Sequence, residues 1–177
     1  MEAPDEELML AYRDGNAAAF DTLYTRHRGA LFRYVLRGVK VRAVAEELYQ
    51  EIWMRVIEAR TRYAPKARFT TWLYTIAHNH LVDHWRKRGL TLVALDSDEI
   101  ASGSPDPADQ AQARESLARF AAALEALPPL QREAFLLHEE GGLSVAEIAA
   151  TTGSNEEAAK SRLRYAMAKL KATVNDG

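Results

Sequence analysis

Apolar side chains recur at three- and four-residue steps along almost the whole chain, and strand-like alternation of β-branched residues is absent. That is the helical period, so the chain can bury its apolar surface only by packing helix against helix. Asp5 is placed to cap a first helix ending at Gly15, and Asn16 to cap a second. The second carries Phe20, Leu23, Tyr24, Leu31, Tyr34 and Val35 on one stripe, with Gly38 as its stop. A third helix is expected from about Val44 to Arg60, and Ala64-Pro65 breaks the pattern after it. A fourth is expected from about Thr70 to Lys87, with Trp72, Leu73, Ile76, Ala77 and Leu81 together.

Composition then changes. Residues 93–116 contain Ser-Gly-Ser-Pro-Asp-Pro, no aromatic residue, six acids and one Arg, which is the make-up of a flexible linker. Helical spacing returns from Leu117 to Leu127, Pro129 to Glu140, Ser144 to Thr151 and Asn155 to Ala172. The fold class expected is all-α: two small helical domains, residues 1–92 and 117–177, on an acidic tether. The net charge of -2 hides an asymmetry. Residues 54–92 hold eight bases against two acids, and residues 158–172 hold five bases and no acid. Two separated basic strips suit two contacts with one polyanion.

Several function classes drop out. The chain has no cysteine, which excludes disulfides, cysteine-ligated zinc, iron–sulfur clusters and thiol catalysis. The acidic opening MEAPDEELMLAYRDG lacks the apolar core of a secretory signal, and no apolar run approaches the roughly 20 residues needed to span a bilayer. A cytoplasmic protein with no membrane insertion is expected. His80 and His84 are one helical turn apart, but no third ligand pattern accompanies them, so no metal is assigned. His78-Asn79-His80 alone does not make a nuclease, and His138-Glu139-Glu140 lacks the second histidine of a zinc hydrolase helix. With no phosphate-cradling glycine loop and no nucleophile beside a base, neither an enzyme nor a cofactor is expected.

Two stretches carry positive signals. In LSVAEIAATTGSNEEAAKSRLRY, residues 143–165, Ser144 and Glu147 make a capping box that opens a short helix, and Gly153 sits at the turn. A long helix follows, basic at Lys160, Arg162, Arg164, Lys169 and Lys171, with Leu163, Ala166, Met167 and Leu170 as its apolar stripe. Short helix, glycine turn and long basic helix make a helix-turn-helix, whose second helix enters the major groove. There Asn155 or Ser161 can reach bases or phosphates while Lys160, Arg162 and Arg164 hold phosphates or read guanine. In the first half, VAEELYQEIW places Glu46, Glu47, Gln50 and Glu51 on adjacent turns of one helix. Then FTTWLYTIAHNHLVDHWRKR, residues 69–88, interleaves rings with basic groups, a pattern that suits single-stranded DNA. Within it, spacing places Trp72, Leu73 and Ile76 in the core, whereas Tyr63, Phe69 and Tyr74 stay open between core and DNA contact.

Together these stretches resemble the small sigma factors of bacterial RNA polymerase, the extracytoplasmic-function group of the sigma-70 family, over about residues 5–172. EELMLAYRDGNAAAFDTLYTRH is similar to the start of its first domain, AEELYQE to its polymerase-binding motif, and WLYTIAHNHLVDHWRKR to its −10 element and melting helix. LPPLQREAFLLHEEGGLSVAEIAATTGSNEEAAKSRL is similar to its −35-reading domain. The resemblance implies that Glu46, Glu47, Gln50 and Glu51 meet the clamp coiled coil of the largest polymerase subunit. It implies that the second domain sits on the flap of the second-largest subunit and reads the −35 element of promoter DNA. The linker would thread the RNA exit path. A flipped −10 base would enter a pocket at Tyr63–Arg68 plus Phe69, with Lys66 and Arg68 on the strand. Asn79, Asp83, Arg86 and Lys87 would serve the −10 element, and Asn155, Lys160, Ser161, Arg162 and Arg164 the −35 element. An anti-sigma factor is implied as a further partner, and a monomer when no partner is bound.

The chain departs from the family's pattern in places. Val44 stands where the family often has an acid, Glu156-Glu157-Ala158-Ala159 where Gly-Thr-Val is common, and Arg164-Tyr165 replaces a frequent order with Arg second. Two other readings are possible on the residues alone: a stand-alone helix-turn-helix regulator, which leaves residues 44–88 without a role, and an all-helical protein adaptor, which leaves both basic strips idle.

Overall fold

The computed structural model describes residues 2–89 and 112–175. Every regular element among them is helical. The first half comprises α1 (Asp5–Arg13), α2 (Ala17–Val39), α3 (Arg42–Ala59), a short 3-10 turn (Arg60–Arg62) and α4 (Phe69–Lys87). The second comprises α5 (Gln112–Ala126), α6 (Pro129–Glu139), α7 (Val145–Thr152) and α8 (Glu156–Asn175). The linker expected at 93–116 falls mostly outside the described residues. Its last five positions differ from expectation, because α5 already begins at Gln112.

The first half is built on α2, α3 and α4, which bury Leu23, Leu31, Val35, Ile52, Val56, Leu73, Ala77 and Leu81 against one another. Fully burying a large apolar side chain contributes about 1.5–3 kcal/mol, so this seam is the main source of stability for the half. Gly38 does not stop α2. The helix runs on to Val39 and ends at Lys40 in the left-handed region, φ 67°. A Cβ on Gly38 would come within 3.2 Å of Leu81 Cδ1. The Gly38 carbonyl accepts a hydrogen bond from Trp85 Nε1 at 3.2 Å. This glycine is therefore a close-approach residue between α2 and α4. Asp5 also departs from expectation: it lies inside α1 and binds Arg26 Nη1 at 3.0 Å and His27 Nε2 at 2.8 Å, which ties α1 to α2.

In the second half, α8 packs against α5, α6 and α7. Ala159, Leu163, Ala166 and Leu170 form its buried stripe, whereas Met167 is 45% exposed. The expected capping box is present. Ser144 Oγ accepts from Glu147 N at 3.2 Å, and Glu147 Oε1 accepts from Ser144 N at 3.0 Å. Gly153 closes α7 at φ 66°, the left-handed region in which a side chain is strained.

The halves are not held apart. α4 packs on α7, α2 packs on α6, and one continuous core of buried side chains includes residues of both.

Candidate nucleic-acid and protein interfaces

Three surfaces hold the residues singled out in the sequence. The first is a groove of about 810 Å³ between α3 and α4. Glu47, Gln50 and Glu51 form one wall, and His80, Asp83, His84 and Lys87 form the other. Leu48, Ile52 and Val56 on α3 turn into the core, which leaves the carboxylates of the same helix facing out. Glu46 stands outside the groove and pairs with Arg42 at 3.3 Å. Glu51 lies 3.3 Å from His80 Nε2, which bridges the two walls. The groove holds four carboxylates, with Glu58 the fourth, against Arg55 and Lys87. Burial, with Arg88 and Lys87 nearby, pushes the His84 pKa below its usual value, so this imidazole is neutral at physiological pH. The groove is thus an acidic cleft with exposed Met54 along it, suited to a basic helical partner.

The second surface runs along α4, which is roughly 28 Å long at 1.5 Å per residue. Asn79, Asp83, Arg86 and Lys87 are exposed. Asn79 and Asp83 share a smaller hollow of about 210 Å³ with Arg55, Glu58 and Arg62. Asp83 therefore borders both the acidic groove and this smaller hollow, a convergence that periodicity alone does not reveal. Lys66 and Arg68 are exposed in the loop before α4.

Tyr63 and Phe69 sit elsewhere than a base-capturing pocket requires: they are 2% and 1% exposed. Their rings pack edge-on at 6.4 Å, with Trp72 at 5.1 Å from Tyr63 and His27 at 5.3 Å from Phe69. Burial pushes the Tyr63 phenol up to about 12. Its backbone carbonyl accepts a hydrogen bond from Arg13 Nη1 at 3.2 Å, which pins the loop to α1. These rings shape the loop from beneath. Leu73 and Tyr74 are fully buried, whereas Trp72 and Ile76 are only half-buried.

The third surface is the outer side of α8. Lys160 and Arg164 are exposed, and Ser161 and Arg162 are half-buried. The Arg164 guanidinium lies 5.5 Å from the centre of the Tyr165 ring, which is exposed beside it. Glu156 and Glu157 occupy the first turn, where their charge suits the helix dipole. Asn155 is committed to its own helix: its Oδ1 accepts from Ala158 N at 2.8 Å. That makes Asn155 the cap of α8.

Charged pairs unsuspected from the sequence join the halves. Arg68 donates from Nε and Nη2 to the Glu147 carboxylate at 2.8 and 3.1 Å, and Thr71 Oγ1 donates to the same carboxylate at 2.6 Å. Burial alone would raise the Glu147 pKa, but the bonds from Arg68, Thr71 and Ser144 outweigh it and hold the carboxyl at about 2. Arg33 Nε grips Glu140 at 2.9 and 3.0 Å. Deeper in, Tyr34 Oη donates to Glu133 Oε2 at 2.8 Å. His78 Nδ1 lies 2.8 Å from Glu133 Oε1, at an angle too oblique for a hydrogen bond. Burial, then the Glu133 charge, pushes the Tyr34 phenol well up, so it stays a donor. Among the described residues no helix is long and apolar enough to cross a membrane.

Comparison with known proteins identifies both halves. Residues 23–91 match the family description Sigma-70 region 2, and residues 117–170 match Sigma-70, region 4. The RNA polymerase sigma factor CarQ of Myxococcus xanthus is 35% identical over 171 residues, covering 95% of this chain and 96% of CarQ. The solved structure of CnrH in complex with the cytosolic domain of CnrY superposes with a TM-score of 0.70, at 26% identity over 97% of each chain. That of the sigma factor RpoE with the anti-sigma factor NepR from Bartonella quintana gives 0.67, at 26% identity, covering 88% of this chain and 96% of RpoE. With both regions present in order, and with the ECF RNA polymerase sigma factor SigL of Mycobacterium tuberculosis 32% identical over 163 residues, covering 90% of this chain and 91% of SigL, the chain belongs to the sigma-70 family, as one of its extracytoplasmic-function (ECF) sigma factors.

Proposed function

We propose that this sigma factor docks on core RNA polymerase through the acidic groove wall of Glu47, Gln50 and Glu51, with Glu46 at its edge. The complex then reads a −10 element along α4 and a −35 element with α8. The observation that carries this reading is the distribution of charge: an acidic cleft between α3 and α4, and basic positions outside it at Lys66, Arg68 and Arg86 in one half and Lys160, Arg162 and Arg164 in the other. Acid suits a basic coiled coil, and the bases suit phosphate. Residues 1–92 and 117–177 act as the two promoter-reading domains.

At the −10 element, Lys66 and Arg68 hold the displaced strand, while Asn79, Asp83, Arg86 and Lys87 flank the duplex side. Tyr63 and Phe69 support the loop from the core, so the flipped base rests on the loop's exposed backbone and on half-buried Trp72. Extruding a base costs a few kcal/mol, which these contacts offset. At the −35 element, Lys160, Ser161, Arg162 and Arg164 face the groove, and Asn155 fixes the start of the helix that presents them. The sigma factor RpoE has been solved with an anti-sigma factor, and a partner of that class is proposed here too. The stand-alone regulator is set aside, because it gives the region 2 half no task.

Permanganate footprinting tests the melting step. Thymines in the −10 region should become reactive only when core polymerase carries this chain, and Arg86→Ala with Lys87→Ala should reduce that reactivity about tenfold. Equal reactivity with both chains would remove α4 from the melting surface.

A further inference from the structure

The two acids in the first turn of α8 are not equivalent. Glu156 lies three residues before buried Ala159, at the edge of the packed stripe of Ala159, Leu163, Ala166 and Leu170. Glu157 lies on the other side of the helix. It stands in one row with Ser161 and Arg164, at steps of four and three residues, so the row points away from the apolar stripe. Glu157 and Arg164 are exposed, and half-buried Ser161 between them is short enough to let the helix come close to a base edge. Among the described residues no hydrogen bond or ion pair engages the Glu157 carboxylate. In a helix-turn-helix the first residues of the second helix reach base edges. The row therefore carries a carboxylate to the place where the duplex is read. Phosphates repel it there, and close contact without a donor would leave it desolvated and unpaired. An ionised carboxylate only accepts hydrogen bonds. In the major groove guanine and thymine offer it acceptors, and adenine sets its one donor beside the N7 acceptor. Cytosine alone offers a donor, the N4 amine, with no acceptor beside it on the same base.

We propose that Glu157 is a specificity-determining residue of the −35 contact: its carboxylate accepts a hydrogen bond from the N4 amine of a cytosine in that element. The inference rests on the reading of α8 as the −35 helix. The step from Glu157 to Arg164 spans about 10 Å along the helix axis, which is about two to three base pairs of duplex. The cytosine therefore lies about that far from the pair faced by Arg164, whose guanidinium sits 5.5 Å from the centre of the Tyr165 ring at the other end of the row. Phosphate repulsion sharpens the choice. Opposite any other base Glu157 weakens binding instead of adding to it, so the acid selects by rejection as well as by contact.

The test uses the full chain on core RNA polymerase and a promoter library randomised over the upstream element, with bound and unbound DNA sequenced. Wild type should favour cytosine at one position about tenfold. Glu157→Ala should cut that preference below about twofold and bind duplexes lacking the cytosine about threefold more tightly, because the repulsion leaves with the charge. Glu157→Gln should move the preference at the same position toward adenine, whose N6 and N7 suit a side-chain amide. Glu156→Gln removes an acid from the same turn and should leave the cytosine preference as it is. A cytosine preference that Glu157→Ala leaves unchanged, or none in wild type, would overturn the proposal. An equal loss in Glu156→Gln would overturn it too, since both acids would then act through the helix dipole. Arg164→Ala separates this failure from failure of the −35 reading itself. If it relaxes another position while Glu157→Ala relaxes none, only the Glu157 contact falls. If neither variant changes the selected sequences, α8 is not the −35 reader.

Discussion

A chain carrying Glu47→Lys and Gln50→Ala is expected to bind core RNA polymerase about 100-fold more weakly than wild type. Both side chains are exposed on α3 and line the groove, while Leu48, Ile52 and Val56 hold the helix from its other side. Exposed substitutions that leave such a core untouched shift folding stability by only about 0.5 kcal/mol. The change therefore acts on the contact. Reversing the charge at Glu47 removes one attraction and adds one repulsion against a basic partner, and Gln50 supplies the amide beside it. Neutral His84 leaves the wild-type cleft acidic, so the reversal is felt in full. Titration of labelled chain with core polymerase at two salt concentrations checks this. An unchanged dissociation constant would move the docking surface away from α3.

Replacing Lys160 and Arg164 by Ala should weaken binding of the polymerase complex to a promoter's upstream element about 30-fold and lower the salt slope by about two. Both side chains are exposed on α8, while Ala159, Leu163, Ala166 and Leu170 anchor the opposite side. Loss of two phosphate contacts weakens binding to all duplexes alike, whereas loss of a guanine contact at Arg164 relaxes preference at one base pair. Comparing cognate and scrambled duplexes separates these. Binding to core polymerase should not change. A lower affinity with an unaltered salt slope would mean that α8 acts through folding rather than through phosphate.

Much of this architecture is legible in the residues. The three- and four-residue steps locate the helices, because the period belongs to a helix before any tertiary contact forms. The capping box at Ser144 and Glu147 and the turn at Gly153 are local chemistry and stand as expected. What sequence reasoning missed depends on partners far along the chain. Gly38 looks like a stop, yet Leu81 and Trp85 make it a packing position. Met167 fits the apolar spacing of α8, yet it faces out while Ala159, Leu163, Ala166 and Leu170 form the buried stripe. Tyr63 and Phe69 share a basic, ring-rich stretch that suits DNA, but Trp72 and His27 close over them. The pairs Arg68–Glu147 and His78–Glu133 join positions 79 and 55 residues apart. No spacing rule connects such positions. Only the three-dimensional α3–α4 cleft shows that Glu47, Gln50 and Glu51 line one groove while Glu46 lies outside it.

The most direct measurement is transcript start mapping with core RNA polymerase, the purified chain and a library of bacterial promoter DNA. Starts that require the chain and share two spaced upstream elements are the expected result, and those elements give its promoter preference. If polymerase with the chain starts no transcript that polymerase alone does not, while the chain binds duplex DNA by itself, the sigma-factor account of this molecule is contradicted.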